Sequence, residues 1–117
     1  MDEAYYRTML FDFFGELLTD KQREYFDLHY NEDLSLSEIA ESEGISRQGV
    51  WDNIRRAESA MEDVEEKTGL LRRFEENREA LKTLLCTLEE LTELTEGRAQ
   101  ALARQAVETA GTLIGRG

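Results

Sequence analysis

Apolar positions recur at helical spacing along most of the chain, and the breaks between them define its elements. In YYRTMLFDFFGELL, Tyr6, Leu10, Phe13 and Leu17 fall three or four apart, with Phe14 and Leu18 widening the stripe. This predicts an aromatic first helix that supplies core rather than a ligand site. Thr19 and Gln22 form a capping-box pattern, so a second helix starts at TDKQREYFDLHY and ends near Asn31 and Asp33, both turn formers.

Ser35 and Glu38 repeat the capping box at the head of LSEIAESE, a short helix whose inward positions are Leu36, Ile39 and Ala40. Gly44 follows, a residue able to take the left-handed conformation that stops a helix. Ser46 is then a natural N-cap for ISRQGVWDNIRR. The pattern is helix, glycine turn, capped helix, the arrangement of a helix-turn-helix. With Val50 inward, a rotation of about 100° per residue brings Ile54 and Ala57 to the same inner face. Gln48, Asp52 and Arg55 then face outward, flanked by Trp51 and Arg56, with Arg47 and Asn53 at the margins. Gly49 leaves room for close approach of a ligand.

Gly69 marks the next break. Beyond it Leu71, Phe74, Leu81, Leu85 and Leu88 follow a three–four spacing interrupted by Arg78, with Leu84 and Leu91 beside the seam. This long amphipathic helix over 70–94 has a wider apolar face than a thin coiled-coil seam needs. It folds back on the first helices or meets a partner, and a homodimer is expected. Gly97 marks a further break before RAQALARQAVETAGTLIG, an Ala-rich last helix expected to fray at its glycine-bearing end. The expected organisation is a helix-turn-helix domain over 1–68 and a helical extension over 69–117, packing on that domain or on a partner chain.

Composition supports an all-α reading. The 117 residues contain no proline, and seven Val plus Ile stand against sixteen Leu, a mix that favours helix over strand. Charge complicates the nucleic-acid reading, because the net formal charge is −12. Such a surface repels polyphosphate, so contact with nucleic acid must be confined to the one locally basic stretch, 46–57, where three arginines stand against Asp52. The single cysteine excludes an intramolecular disulfide and a cysteine-based zinc site. No apolar run reaches membrane-spanning length, and the acidic N-terminus lacks a signal-peptide layout, so a cytoplasmic protein without membrane insertion is expected.

The outer face of the capped helix carries the candidate chemistry. Such a helix can lie in the major groove with its N-terminal residues at base edges. Arg55 and Arg56 suit phosphate or guanine, and Gln48 suits adenine. Asp52 either accepts from a base amino group or pairs with Arg55 or Arg56 within the helix. Trp51 could stack on an exposed base, anchor a protein interface or lie under the aromatic first helix. No enzyme is expected. His29 is the sole histidine and reads as structural, Cys86 among leucines reads as a buried thiol, and no phosphate-loop or metal-ligand pattern supports a cofactor. The acid clusters MEDVEE and LEELTEL read as solvated helix faces.

LTDKQREYFDLHYNEDLSLSEIAESEGISRQGVWDNIRRAESAME resembles region 4 of sigma-70-type factors. The likeness is closer still to the YlxM family of small bacterial helix-turn-helix proteins, and it runs from YYRTMLFDFFGELL to FEENREALKTLL. It covers about residues 5–90 and leaves out the Ala-rich tail. The resemblance implies a sigma region 4-like helix-turn-helix domain with an N-terminal aromatic helix and a long C-terminal amphipathic helix. It also implies a cytosolic, regulatory role in the signal recognition particle pathway, a role proposed because the family's gene lies beside those for the particle's GTPase and its receptor. The binding residues it implies are those of the matching helix: Arg47, Gln48, Trp51, Asp52, Asn53, Arg55 and Arg56. Partners consistent with it are DNA, the particle's RNA and the particle's GTPase. Nothing resembles a promoter-melting region, which argues against a true sigma factor.

Overall fold

The computed structural model describes residues 2–116, and all regular structure among them is helical. Six α-helices follow in order: α1 Glu3–Phe14, α2 Asp20–Tyr30, α3 Leu36–Glu43, α4 Arg47–Thr68, α5 Leu70–Leu94 and α6 Gly97–Arg116. A 3₁₀ turn at Gly15–Leu17 links α1 to α2. Among the described residues, no helix is long and apolar enough to cross a membrane. Packing divides the chain into two compact units, Met1–Leu71 and Arg72–Gly117.

Local chemistry sets most boundaries in the first unit. The Thr19 hydroxyl accepts from the Gln22 N–H while the Gln22 side chain accepts from the Thr19 N–H, and Ser35 and Glu38 do the same at the head of α3. Each box satisfies two N–H groups that a helix start leaves open. Gly44 ends α3 in the left-handed region at φ 71°, where a side chain would be strained. His29 closes the loop after α2 through Nδ1, 2.8 Å from the Leu34 carbonyl oxygen. This is the structural role expected of it.

The core of this unit joins Leu10, Phe14 and Leu18 to Tyr25, Phe26, Ile39, Ala40, Val50, Ile54, Ala57, Met61 and Leu71. The Phe11 ring stacks on Phe26 with centroids 5.0 Å apart. Arg7 sets its guanidinium 4.2 Å above the Tyr30 ring and 3.8 Å from Glu58, tying α1 to α2 and α4. Burial raises the Tyr30 phenol pKa, an effect that Arg7 opposes.

The aromatic stripe differs from its expected register. Leu17 is 68% exposed, whereas Leu18 is buried. α1 stops at Phe14, and the tighter 3₁₀ turn carries Leu17 outward and Leu18 inward. Leu10, Phe14 and Leu18 therefore form the buried line, and Phe13 is only half-buried.

In the second unit, α5 and α6 form a helical hairpin joined by Thr95 and Glu96. Ala103 and Ala110 are buried, and Leu81, Leu85 and Leu88 are half-buried. The Gln100 side-chain amide donates to the Thr92 carbonyl at 3.1 Å, closing the turn end of the hairpin. One expectation fails here. Cys86 is exposed, because it lies on the side of α5 opposite the leucines.

Candidate nucleic-acid interface

The candidate face is built on the first ten residues of α4. Ser46 caps it, its hydroxyl accepting from the Gly49 N–H at 2.9 Å. A Cβ at position 49 would lie 3.2 Å from the Ser46 hydroxyl and 3.6 Å from the Ile45 side chain. The space left by Gly49 is thus taken by the cap and by Ile45. The expectation that it admits a ligand is corrected to a role in starting the helix. Val50, Ile54 and Ala57 are each 0% exposed, which fixes the rotation of α4 about its axis. Met61 continues the same line one turn later.

That rotation turns Arg47, Gln48, Arg55 and Arg56 to solvent, with Trp51, Asp52 and Asn53 half-buried. The polar residues divide into two groups. Gln48 donates from its side-chain amide to an Asp52 carboxylate oxygen at 2.9 Å. Asn53 donates to the Gly49 carbonyl at 2.9 Å. These amides are engaged within the helix. Of the two roles expected of Asp52, the ion pair with Arg55 or Arg56 is not formed, and Gln48 is its partner within the helix. Trp51 lies at the core margin and shares a shallow depression with Leu36, Ser46, Arg47 and Gln48. Its apolar neighbour in that depression is Leu36 of α3.

Arg47, Arg55 and Arg56 form the second group. Elsewhere in this unit each basic side chain is paired: Arg7 with Glu3 and Glu58, Lys21 with Glu24 and Glu43, Arg23 with Glu16 and Asp20, Lys67 with Asp63. Among the described residues, no ion pair or hydrogen bond engages the three arginines of the α4 N-terminal half. The unit neutralises its other cations internally and leaves these three guanidinium groups to solvent. Each retains its full set of N–H donors for phosphate, carboxylate or a guanine edge. The sequence marks this stretch as locally basic; pairs between distant segments, such as Arg7–Glu58 and Lys21–Glu43, are visible only in the folded chain.

The chain matches the family described as "Putative helix-turn-helix protein, YlxM / p13 like" over residues 1–102. The UPF0122 protein of Thermoanaerobacter sp. (strain X514) is 55% identical over 75 residues, 64% of this chain and 64% of that protein. The chain therefore spans slightly less than two thirds of that relative. The UPF0122 protein of Halalkalibacterium halodurans is 46% identical over 102 residues, 82% of this chain and 94% of its own length. That of Shouchella clausii is 41% identical over 116 residues, 99% of this chain and 94% of its own. The likeness thus extends past residue 90 into the Ala-rich tail, beyond the range that the motifs alone mark. The α3–α4 motif, the all-helical fold and these matches agree: the chain belongs to the YlxM / p13-like helix-turn-helix family.

Proposed function

We propose that the chain is a non-enzymatic helix-turn-helix protein that binds nucleic acid through the outer face of α4 and acts in or regulates the signal recognition particle pathway. The observation that carries the binding reading is the contrast in pairing. In an acidic protein, the three arginines of the α4 N-terminal half are exposed and unengaged while every other cation of the unit has a carboxylate partner. Arg47, Arg55 and Arg56 supply phosphate or guanine contacts. Gln48, Asp52 and Asn53 shape the surface between them, and Trp51 sets its edge. Three arginines in a field this negative give weak, salt-sensitive binding rather than a tight clamp. The pathway assignment and the cytoplasmic location rest on the family resemblance. The proposed working unit is a homodimer.

A second reading is an accessory factor that meets the particle's GTPase or RNA without reading DNA sequence. The engagement of Gln48 by Asp52 favours it, because the side chain best suited to an adenine edge is already occupied. One experiment separates the two. Duplex DNA from the protein's own promoter region, the particle's RNA and the particle's GTPase are each titrated against the chain across a salt series. Nucleic-acid binding predicts a linear fall of log affinity with log salt, weakened and flattened in Arg55→Ala/Arg56→Ala. Binding to the GTPase alone, unchanged in that variant, sinks the nucleic-acid reading.

A further inference from the structure

The two grooves of the α5–α6 hairpin have opposite character. One is lined by Glu89, Thr92, Glu93, Arg104 and Val107. The other is lined chiefly by Leu81, Leu84, Leu88, Leu102, Ala106 and Leu113. Leu84, Leu102 and Leu113 are each about half exposed, at 48%, 51% and 49%. These leucines belong to a second heptad seam on each helix. On α5 the seam that meets α6 runs through Leu81, Leu85 and Leu88, whereas Leu84 and Leu91 lie one step round the helix. On α6, Ala103 and Ala110 are buried and Leu102, Ala106 and Leu113 form the adjacent line. A helix with two neighbouring seams packs against two others, and a hairpin of such helices is half of a four-helix bundle.

We propose that a second copy of this chain covers this face, and that the two hairpins complete a four-helix bundle about a two-fold axis. The proposal deepens the homodimer reading by naming its surface and is independent of nucleic-acid binding. Three observations favour a second copy. Seam matching is the first: an identical hairpin presents two open seams of the same length and composition, as a self-complementary two-fold interface requires.

Charge is the second. Two chains of net charge −12 repel, so they meet most readily where carboxylates are sparse. On α5, Glu79, Glu89, Glu90 and Glu93 lie about 100° or more round the helix from the Leu84–Leu91 line, and Glu108 is as far from the Leu102–Leu113 line on α6. Glu76, about 60–80° from the line, flanks it only at the end of α5 remote from the connecting turn. The hydroxyl groups at the face are already satisfied, and the remaining polar side chain, Gln105, is exposed at its edge. Thr87, beside Leu84 and Leu91, donates to the Thr83 carbonyl at 3.1 Å. Thr109, within the groove, donates to the Gln105 carbonyl at 3.1 Å. Covering them leaves no hydroxyl proton unpaired.

Area is the third. A face as long as α6, about 30 Å, and two helices wide, about 20 Å, covers roughly 600 Å² per copy, or about 1,200 Å² in all. That meets the lower bound for a specific interface.

The test is the molar mass of the full chain by light scattering at micromolar concentration, with helix content followed by circular dichroism. Wild type is expected to be a dimer. Leu84→Glu/Leu113→Glu should be a helical monomer, and Leu17→Glu, which alters an exposed leucine of the other unit, should remain a dimer. A monomeric wild type overturns the homodimer and its surface together. A dimeric Leu84→Glu/Leu113→Glu overturns the surface alone. Hydrogen exchange on the wild type guards against an unfolded variant. Amides of 81–94 and 99–113 should gain protection as concentration rises, and concentration-dependent protection confined to other segments would overturn the proposal.

Discussion

Gln48 and Asp52 sit one turn apart on α4, and the Gln48 amide donates to the Asp52 carboxylate at 2.9 Å. This bond holds a negative charge at the centre of the face that carries three exposed arginines, and it occupies the side chain best suited to a base edge. Asp52→Asn should keep the shape of the pair, with the amide oxygen accepting in place of the carboxylate, while removing the charge. A close unit charge costs about 1 kcal/mol against phosphate in water-like surroundings, or roughly fivefold in affinity. Asp52→Asn should therefore bind nucleic acid about fivefold more tightly at low salt, with the gain shrinking as salt rises. Titration of the variant and wild type with one duplex checks this, and equal affinities at low salt would place the ligand away from α4.

Phe14 and Leu17 are three residues apart in a stripe that reads as continuous, yet Phe14 is 4% exposed and Leu17 is 68% exposed. Phe14→Ala should lose about 3 kcal/mol of stability, the ordinary cost of removing a buried aromatic ring. Leu17→Ala should change stability by no more than about 0.5 kcal/mol. Urea unfolding of the full chain measures both, and a cost at Leu17 equal to that at Phe14 would mean that the stripe continues as a regular helix.

The contrast between those two residues shows where sequence reading succeeds and where it stops. The capping boxes at Thr19 and Ser35, the cap at Ser46, the helix ends at Gly44 and Gly69 and the break at Gly97 are legible because each is decided within about four residues by hydrogen bonds or by φ. The inner line of Val50, Ile54 and Ala57 is legible because the helical period alone places it. The 3₁₀ turn at Gly15–Leu17 is not, since the pattern carries no mark of a local change in pitch. Nor is the partner of Asp52, because Gln48 at i−4 and the arginines at i+3 and i+4 are all within reach and only rotamer choice decides among them. The free state of Arg47, Arg55 and Arg56 lies furthest from the sequence, since it depends partly on pairs such as Arg7–Glu58 and Lys21–Glu43 that fold distant segments together.

The turn of the helix-turn-helix rests on one backbone conformation. Gly44 has φ 71°, and a Cβ there would meet nothing within 4 Å. The cost of a side chain is therefore backbone strain without steric clash. Gly44→Ala should destabilise the chain by roughly 1 kcal/mol, and Gly44→Asn by less, because asparagine tolerates the left-handed region. Urea melts with unchanged slopes should show this order, Gly then Asn then Ala. Alanine as stable as glycine would mean that the turn adopts a different conformation.

The capping box at Ser35 and Glu38 gives α3 a pH dependence of known sign. Hydrogen bonds from the Ser35 backbone N–H and from its hydroxyl hold the Glu38 carboxyl below its usual 4.5. A carboxylate whose folded pKa is depressed stabilises the fold above the unfolded pKa, and that stabilisation is lost as pH falls through the folded value. Glu38→Gln keeps a side-chain acceptor for the Ser35 N–H and cannot titrate. The stability difference between wild type and Glu38→Gln should be constant near neutral pH. It should change in favour of the variant as pH falls below about 4.5, the unperturbed carboxyl value. Thermal melts of both proteins from pH 7 downward measure the difference directly. A difference that stays flat through the acid range would mean that the Ser35 N–H does not select the charged form of Glu38.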